Sequence, residues 1–346
     1  MMYKIDIIPG YKYNFRCKYC FEQISNIAYS NTYMSDDIIN NTVKYIKEVY
    51  KKIGDNNKLC IVCYGGEPLL HTDIISKFIN ELYDTDILFN IVTNGYLINT
   101  CRNVLCNWKK ILGCKLNIIV SYDYSLQNIH RMDDSYNLVR NNILYLYKNK
   151  YKVSTITVFP IGDLPKFYDV FEDFLKLRKK IHNLKLCFNI DRINASNTSF
   201  NEEKTREALE KIKNWKINNP NVDYIEYNNG CGYRNYREED CIFRNVYSGI
   251  DVNGNIYPTY NAAFAKENIR EMIYLGNVKD SIYDLDNRRN YLLNTLNFDI
   301  GETCKSCGVP CRVFPWRTIT SNIDEFNKMP SEEHCYIHKL LAEYLS

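Results

Sequence analysis

Two cysteines, Cys17 and Cys20, lie three residues apart in a segment, residues 13–20, that reads YNFRCKYC. An apolar run from Ile5 to Ile8 precedes this segment and ends at Pro9-Gly10, a pattern typical of a strand that enters a loop. On a loop, two sulfur atoms at this spacing can face one metal centre, and thiolates select zinc or iron–sulfur clusters. The segment therefore predicts a metal site just after the first strand.

A second candidate segment, Gly65-Gly66-Glu67-Pro68, follows the next apolar run, residues 59–63. Glycine residues allow a backbone to approach a ligand closely, and a neighbouring carboxylate can accept an ammonium group. A glycine turn before a helix that begins at proline would give the same pattern without any ligand. Asn94 follows the next apolar run, and Ser121 ends the one after it. Polar residues and glycines thus recur at the ends of consecutive predicted strands, where α/β barrels build their sites.

Apolar runs alternate with amphipathic stretches from residue 5 to residue 216. The first amphipathic stretch predicts a helix over residues 36–52 with Ser35 as its N-cap. Strands are predicted over residues 5–8, 59–63, 87–92, 115–121, 153–159 and 184–190, and further helices over residues 73–83, 137–150, 164–179 and 201–216, with one more that ends near residue 108. This alternation predicts an α/β fold with a parallel barrel or partial barrel, in which the segments after the strands build the site.

The chain changes character after Pro220, where loops and cysteines become frequent. Residues 246–260 are predicted to form a β-hairpin, with Asn253-Gly254 as its two-residue turn. Six of the 14 cysteines lie in this part of the chain. We therefore predict two domains, a barrel over residues 1–225 and a smaller, loop-rich cysteine domain over residues 226–346.

Composition excludes several classes of function. A net charge of +3, from 44 basic and 41 acidic side chains, provides no basic surface for nucleic acid. No apolar run reaches the roughly 18 residues that a membrane-spanning helix needs, and the N-terminus shows no signal-peptide pattern. In such a chain, 14 cysteines favour a reducing cytoplasm and metal ligation over disulfides.

The segment over residues 13–20 resembles the cluster loop of the radical S-adenosylmethionine (radical SAM) enzymes, which runs Cys-x-x-x-Cys-x-aromatic-Cys. Five residues match the family pattern: Asn14, Arg16, Cys17, Tyr19 and Cys20. Tyr13 stands where the family has its first cysteine. In the family, three thiolates hold a [4Fe–4S] cluster, and the fourth iron binds the amino and carboxylate groups of S-adenosylmethionine (SAM). The resemblance implies that the protein has a partial (β/α)6 barrel of the radical SAM type.

The resemblance also implies roles for individual residues. The residues implied to bind SAM are Tyr19, Gly65, Gly66, Glu67, Asn94, Ser121 and Arg131. Arg131 is displaced from the position of the family's usual arginine, which pairs with the SAM carboxylate. Tyr13 either ligates iron as a phenolate or leaves one iron without a protein ligand. A zinc knuckle completed by Cys60 and Cys63 is disfavoured, because residues three apart on a strand point to opposite faces.

The C-terminal part resembles the SPASM domain, which in peptide- and protein-modifying members holds auxiliary [4Fe–4S] clusters. Cys231 and Cys241 match two ligands of the first auxiliary cluster, whereas Thr259 and Pro315 stand at its other two ligand positions. All four ligands of the second cluster have a match: Cys304, Cys307, Cys311 and Cys335. Four cysteines at this spacing also suit structural zinc.

The resemblance implies an enzyme that cleaves SAM reductively to a 5′-deoxyadenosyl radical and modifies a peptide or small protein. Its layout is closest to that of the sulfatase-maturing members, but their catalytic aspartate falls on Tyr260. An electron donor such as flavodoxin or ferredoxin would be a second partner. The alternative is a catalytically degenerate relative that serves as a substrate- or partner-binding scaffold, because Tyr13 replaces a cluster cysteine.

Overall fold

Seven parallel strands lie side by side in chain order and form the framework of the molecule. The computed structural model describes residues 2–20, 22, 30–191, 199–220, 225–227, 246–295 and 332–345. The seven strands are β1 (Met2–Ile7), β2 (Lys58–Cys63), β3 (Leu88–Thr93), β4 (Leu116–Ser121), β5 (Lys152–Pro160), β6 (Leu186–Asp191) and β7 (Ile225–Tyr227). Each is hydrogen-bonded in parallel to the next, so their carboxyl ends lie along one edge of the sheet.

Three further strands extend the same sheet on the other side of β1. They are β8 (Val246–Ile250), β9 (Asn255–Tyr257) and β10 (Gly276–Asn277). Strand β8 pairs in parallel with β1, whereas β9 pairs antiparallel with β8 and β10 antiparallel with β9. The sheet order is therefore β10-β9-β8-β1-β2-β3-β4-β5-β6-β7. The first strand of the barrel thus joins the N-terminal part of the chain to its C-terminal part.

Ten helices are described: seven precede β7 and lie between the parallel strands, and three follow β9. They are α1 (Asp36–Ile53), α2 (Thr72–Leu82), α3 (Arg102–Leu112), α4 (Gln127–His130), α5 (Ser135–Lys148), α6 (Phe167–Arg178), α7 (Glu202–Asn218), α8 (Glu267–Met272), α9 (Ile282–Thr295) and α10 (Glu332–Leu345). Ser35 caps α1, because its side-chain oxygen accepts a hydrogen bond from the Ile38 amide at 3.4 Å. None of the described helices is long and apolar enough to cross a membrane.

On strands β3, β4 and β5 the two faces of the sheet, to which successive side chains point alternately, differ in burial. On β4, Leu116 and Ile118 are buried, whereas Asn117 and Ile119 are only half-buried. Strands β3 and β5 alternate in the same way. The buried residues belong to the hydrophobic core, and the half-buried residues point to the opposite face of the sheet.

The structure confirms the predicted α/β partial barrel, and each of its six predicted strands corresponds to a strand of the sheet. The turn of the hairpin was predicted wrongly. The chain between β8 and β9 runs over residues 251–254, and the Gly254 amide donates to the Asp251 carbonyl oxygen at 3.0 Å. Gly254 has a φ of 78°, so it is the left-handed residue that follows a turn, not half of a two-residue turn.

Candidate functional site

The loop after β1 crosses the loop after β2 at the carboxyl edge of the sheet. The Gly66 amide donates to the Gly10 carbonyl oxygen at 3.2 Å, and the Glu67 amide donates to the Lys12 carbonyl oxygen at 2.8 Å. A Cβ atom at Gly66 would lie 1.9 Å from the Lys12 carbonyl oxygen. Glycine is therefore required at position 66 because two protein backbones meet there, and this contact brings the two candidate segments together.

Tyr13 contributes to the same crossing. Its side-chain hydroxyl donates a hydrogen bond to the Gly65 carbonyl oxygen at 3.1 Å. A phenol that donates this bond keeps its proton, whereas an iron ligand would be a phenolate. The structure therefore gives Tyr13 a role in which it holds the Gly-Gly segment, and this role differs from the predicted role of a metal ligand.

The Glu67 carboxylate joins the loop after β2 to the loop after β3. It accepts hydrogen bonds from the Leu69 amide at 3.0 Å, the Thr93 hydroxyl at 2.6 Å and the Asn94 amide at 2.8 Å. Glu67 is only 1% exposed, and burial raises the pKa of its carboxyl group while the three hydrogen bonds oppose that rise. With both oxygens engaged by protein donors, this carboxylate positions two loops.

Asn94 connects the loop after β3 to the cysteine segment. Its side-chain nitrogen donates to the Asn14 side-chain oxygen at 2.7 Å, and its own side-chain oxygen accepts from the Tyr96 amide at 3.0 Å. Phe15 packs edge-on against the Tyr96 ring at 5.5 Å. Residues 13–20, 64–67 and 93–96 therefore form one hydrogen-bonded unit, which we call the three-loop unit.

Cys17 and Cys20 lie on a turn within this unit. The Cys20 amide donates to the Cys17 carbonyl oxygen at 3.1 Å, and the Lys18 amide donates to the His130 carbonyl oxygen at 2.8 Å. Both cysteines are half-buried. Burial raises the pKa of the Cys17 thiol to about 11, although Arg131 acts in the opposite direction. The second contact attaches the turn to the segment that follows β4.

An acidic residue that the sequence analysis missed, Asp123, organises that segment. Its carboxylate is fully buried and forms two hydrogen bonds with Arg131, from Nε to Oδ2 at 2.9 Å and from Nη2 to Oδ1 at 3.2 Å. The Tyr19 hydroxyl donates to the same carboxylate at 2.6 Å, and Arg131 Nη1 lies 3.9 Å from the Cys17 sulfur. Asp123 is two residues past β4 and eight residues before Arg131, and this was the only signal in the sequence.

Other predicted residues lie beside this network, elsewhere in the fold, or outside the described residues. Ser121 is the last residue of β4 and is half-buried at the same edge of the sheet. Tyr260 stacks face to face on Tyr64, with ring centroids 4.0 Å apart. Cys335 lies on α10 and is half-buried. The following residues lie outside the described part of the chain: Cys231, Cys241, Cys304, Cys307, Cys311 and Pro315.

Two side chains of this site are suitable ligands for an iron–sulfur centre. Cys17 and Cys20 supply two soft thiolate donors on one turn, and the Arg131 guanidinium beside them can offset the negative charge of a thiolate centre. The Tyr13 hydroxyl does not fit as a third ligand, because it donates to the Gly65 carbonyl oxygen. Among the described residues, no three His, Cys, Asp or Glu side chains converge to hold a metal ion.

Residues 7–177 match the model of the Radical SAM superfamily. The radical SAM cyclopropyl synthase TigE of Paramaledivibacter caminithermalis is 29% identical over 153 residues, which are 40% of this chain and 31% of that protein. The S-adenosylmethionine-dependent nucleotide dehydratase of Selenomonas ruminantium is 31% identical over 98 residues, which are 28% of this chain and 32% of that protein. The chain therefore spans about a third of the length of these relatives.

Two solved structures share the fold over nearly the whole chain. Native anSMEcpe with bound AdoMet has a TM-score of 0.70 at 17% identity, and the alignment covers 100% of this chain and 98% of that one. Streptococcus suis SuiB bound to the precursor peptide SuiA has a TM-score of 0.65 at 12% identity, with 95% of this chain and 75% of that one covered. At these identities the likeness establishes the fold.

Proposed function

We propose that this chain, in which residues 7–177 form a domain of the radical SAM superfamily, binds an iron–sulfur cluster and SAM at the carboxyl edge of its sheet and modifies a peptide or small protein. The family implies the cluster and SAM. One observation carries the assignment to this edge: the three-loop unit joins the Cys17–Cys20 turn to the Gly65-Gly66-Glu67 segment and to Asn94.

The cluster and SAM, when bound, supply the one-electron reductive cleavage of the sulfonium to a 5′-deoxyadenosyl radical. The residues of this chain bind and orient the two groups. Cys17 and Cys20 would hold two of the irons through their sulfur atoms. Gly65 and Gly66 would present backbone to the SAM amino group, and the Glu67 carboxylate fixes their position through its bonds to the next loop. Asn94, Tyr19 and Ser121 border the same site.

We assign the substrate to the class of peptides and small proteins. Two of the structures that share the fold contain a peptide: SuiB with its precursor peptide SuiA, and anSMEcpe with the Cp18Cys peptide. Flavodoxin or ferredoxin would deliver the electron.

We further propose that residues 226–346 form a SPASM-type auxiliary domain. In this proposal, Cys304, Cys307, Cys311 and Cys335 hold one auxiliary [4Fe–4S] cluster, and Cys231 and Cys241 belong to a second, incomplete ligand set. Support comes from the spacing of these cysteines and from the β8–β9 hairpin, which the SPASM resemblance aligns with them. Quantification of zinc and iron in the same sample distinguishes this cluster from a structural zinc site.

The test is anaerobic reconstitution with iron and sulfide, followed by reduction with dithionite in the presence of SAM. We expect 5′-deoxyadenosine in the wild-type sample and none in the Cys17→Ala/Cys20→Ala double variant. Cys106→Ala is the matched control, because Cys106 is exposed on α3 and belongs to no predicted ligand set. A wild-type protein that takes up no iron at Cys17 and Cys20 and forms no nucleoside would contradict the proposal and leave the scaffold alternative.

A further inference from the structure

The side chain of Arg131 is held in place by contacts with other side chains of the protein. Its side chain is only 6% exposed, and two of its three guanidinium nitrogens donate to the fully buried Asp123 carboxylate. The third nitrogen, Nη1, lies 3.9 Å from the Cys17 sulfur, within hydrogen-bond distance for sulfur. The guanidinium is planar and rigid, so these two contacts together determine where it points.

The Asp123 carboxylate is itself held by several hydrogen bonds. Besides Arg131, the carboxylate accepts hydrogen bonds from the Tyr19 hydroxyl at 2.6 Å and from the Val158 amide at 3.2 Å. The Arg131 guanidinium also lies over the Tyr19 ring, 5.3 Å from its centroid. Because Tyr19 lies between the two cysteines, the network holds the arginine and the cysteine turn in one arrangement.

We infer that Arg131 is a positioning residue of the N-terminal metal centre, which donates a hydrogen bond to the Cys17 sulfur and stabilises the reduced state with its buried charge. This inference rests on the proposed function, because it requires a cluster on Cys17. It replaces the predicted contact between Arg131 and the SAM carboxylate. In the step concerned, the cluster gains one electron from an external one-electron donor, and no bond forms or breaks.

The direction of the effect follows from charge. Reduction adds one negative charge to the centre, and a cation within hydrogen-bond distance of a ligand sulfur stabilises that charge. Hydrogen bonds to the sulfurs and net charge are established determinants of cluster potential. Asp123 weakens the field of Arg131, but its own charge is shared with the Tyr19 hydroxyl and the Val158 amide, whereas the arginine lies within hydrogen-bond distance of the sulfur.

The fold contains a matched control with the same three residue types. Between α5 and α6, Arg140 Nη1 donates to Asp173 Oδ1 at 2.9 Å, and the Tyr136 hydroxyl donates to the same oxygen at 2.8 Å. The side chains of Arg140 and Asp173 are 14% and 7% exposed. Substitution of Arg140 therefore disrupts a similarly buried Tyr–Asp–Arg trio that lies between two helices.

The experiment compares the wild type with Arg131→Gln, Arg131→Lys and Arg140→Gln after anaerobic reconstitution. Iron per chain, the midpoint potential from EPR-monitored titration, and SAM affinity from equilibrium dialysis are measured for each. At the wild-type midpoint, Arg131→Gln is expected to lower the ratio of reduced to oxidised cluster at least tenfold, about 59 mV for a one-electron couple. Arg131→Lys should lower it less, and Arg140→Gln should leave it unchanged.

A second pair of variants covers the case in which Arg131→Gln fails to fold because Asp123 is left without its cation. In the Asp123→Asn background the carboxylate that pairs with Arg131 is already absent, and adding Arg131→Gln should again lower the ratio at least tenfold. In every variant that carries a cluster, SAM affinity should stay within about threefold of the affinity of its parent protein, either the wild type or Asp123→Asn.

Three results would overturn the inference, and they differ from one another. A cluster of unchanged potential with a large loss of SAM affinity in Arg131→Gln would make the arginine a SAM ligand. Unchanged potential and unchanged SAM affinity would leave it a purely structural residue. A wild-type protein without any cluster would reject the proposed function together with this inference, whereas the first two results leave the proposed function intact.

Discussion

The Glu67→Gln substitution tests whether this side chain joins two loops. An amide can keep one oxygen in the place of Oε1, which accepts from the Leu69 amide and the Thr93 hydroxyl. Its NH2 group then takes the place of Oε2 and faces the Asn94 amide, which lies 2.8 Å from Oε2 in the wild type. Two donors would meet in a site that is only 1% exposed, so one buried N–H group would lose its acceptor.

The expected cost follows from these contacts. A hydrogen bond to a charged group contributes about 1.5–3 kcal/mol, and a buried donor left without a partner costs about 1–3 kcal/mol. Both costs describe the loss of the same contact, so they do not add in full. We therefore expect a decrease of about 3 kcal/mol in the free energy of unfolding, measured by urea denaturation with an unchanged m-value. Glu81→Gln is the control, because the Glu81 side chain is 58% exposed on α2, and it should change stability by less than about 0.5 kcal/mol.

The same substitution has a functional consequence. The Asn94 amide would lose its anchor, and the bond from Asn94 to Asn14 holds the cysteine segment. We therefore expect Glu67→Gln to lose iron to a chelator faster than the wild type, whereas Glu81→Gln should match it. A stability cost below about 1 kcal/mol together with unchanged iron retention would refute the assignment of Glu67 as the residue that joins the loops.

Three further predictions follow from other contacts. Tyr13→Phe should keep the wild-type iron content and lose about 1 kcal/mol of stability with the bond to the Gly65 carbonyl oxygen, whereas loss of iron would show that Tyr13 is a ligand. Gly66→Ala should destabilise the protein by at least about 2 kcal/mol, because the new Cβ would lie 1.9 Å from the Lys12 carbonyl oxygen; denaturation at wild-type urea concentrations would contradict the loop crossing. Hydrogen bonding to His130 and then Lys166 lowers the pKa of Asp163 to about 2. The ionised carboxylate therefore stabilises the fold fully above its usual pKa of 3.8, and this stabilisation is lost as pH falls toward 2. Asp163→Asn should therefore cost about 2 kcal/mol at pH 7 and progressively less below pH 4, and a difference that does not depend on pH would exclude this mechanism.

The fold was predictable because its strands are short apolar runs separated by amphipathic helices. The predicted strand over residues 115–121 and the observed β4 (Leu116–Ser121) differ by one residue, since burial on one face leaves a clear alternating pattern. The hairpin turn was missed, although Asn253-Gly254 is a strong hairpin signal. Whether a glycine is part of the turn or follows it depends on strand register, which the local sequence does not contain.

The site was predictable in its location but not in the contacts of its side chains. Cys17, Gly66 and Asn94 come together as expected, because the carboxyl ends of parallel strands share one edge. The family resemblance implied that Glu67 binds SAM, and it left Tyr13 either as an iron ligand or as a residue that leaves one iron unheld, whereas the structure pairs both side chains with protein groups. These pairings form between loops that are 27 and 52 residues apart in the chain, so local spacing cannot show them.

Asp123 illustrates the same limit. Its pairing with Arg131 depends on the path of the chain through α4, which brings the arginine back over the end of β4. A sequence read against a family pattern looks for the arginine at one position and overlooks the carboxylate that fixes it. Buried carboxylates just after a strand, with an arginine one or two helical turns later, are therefore worth testing as pairs in related chains.

The proposed function requires SAM to bind at a cluster held by Cys17 and Cys20. The most direct test is the EPR spectrum of the dithionite-reduced protein, recorded with and without SAM, for the wild type and for the Cys17→Ala/Cys20→Ala double variant. We expect a wild-type signal that changes shape when SAM is added, and the absence of this SAM-dependent signal in the double variant. A wild-type spectrum that is identical with and without SAM would contradict the claim.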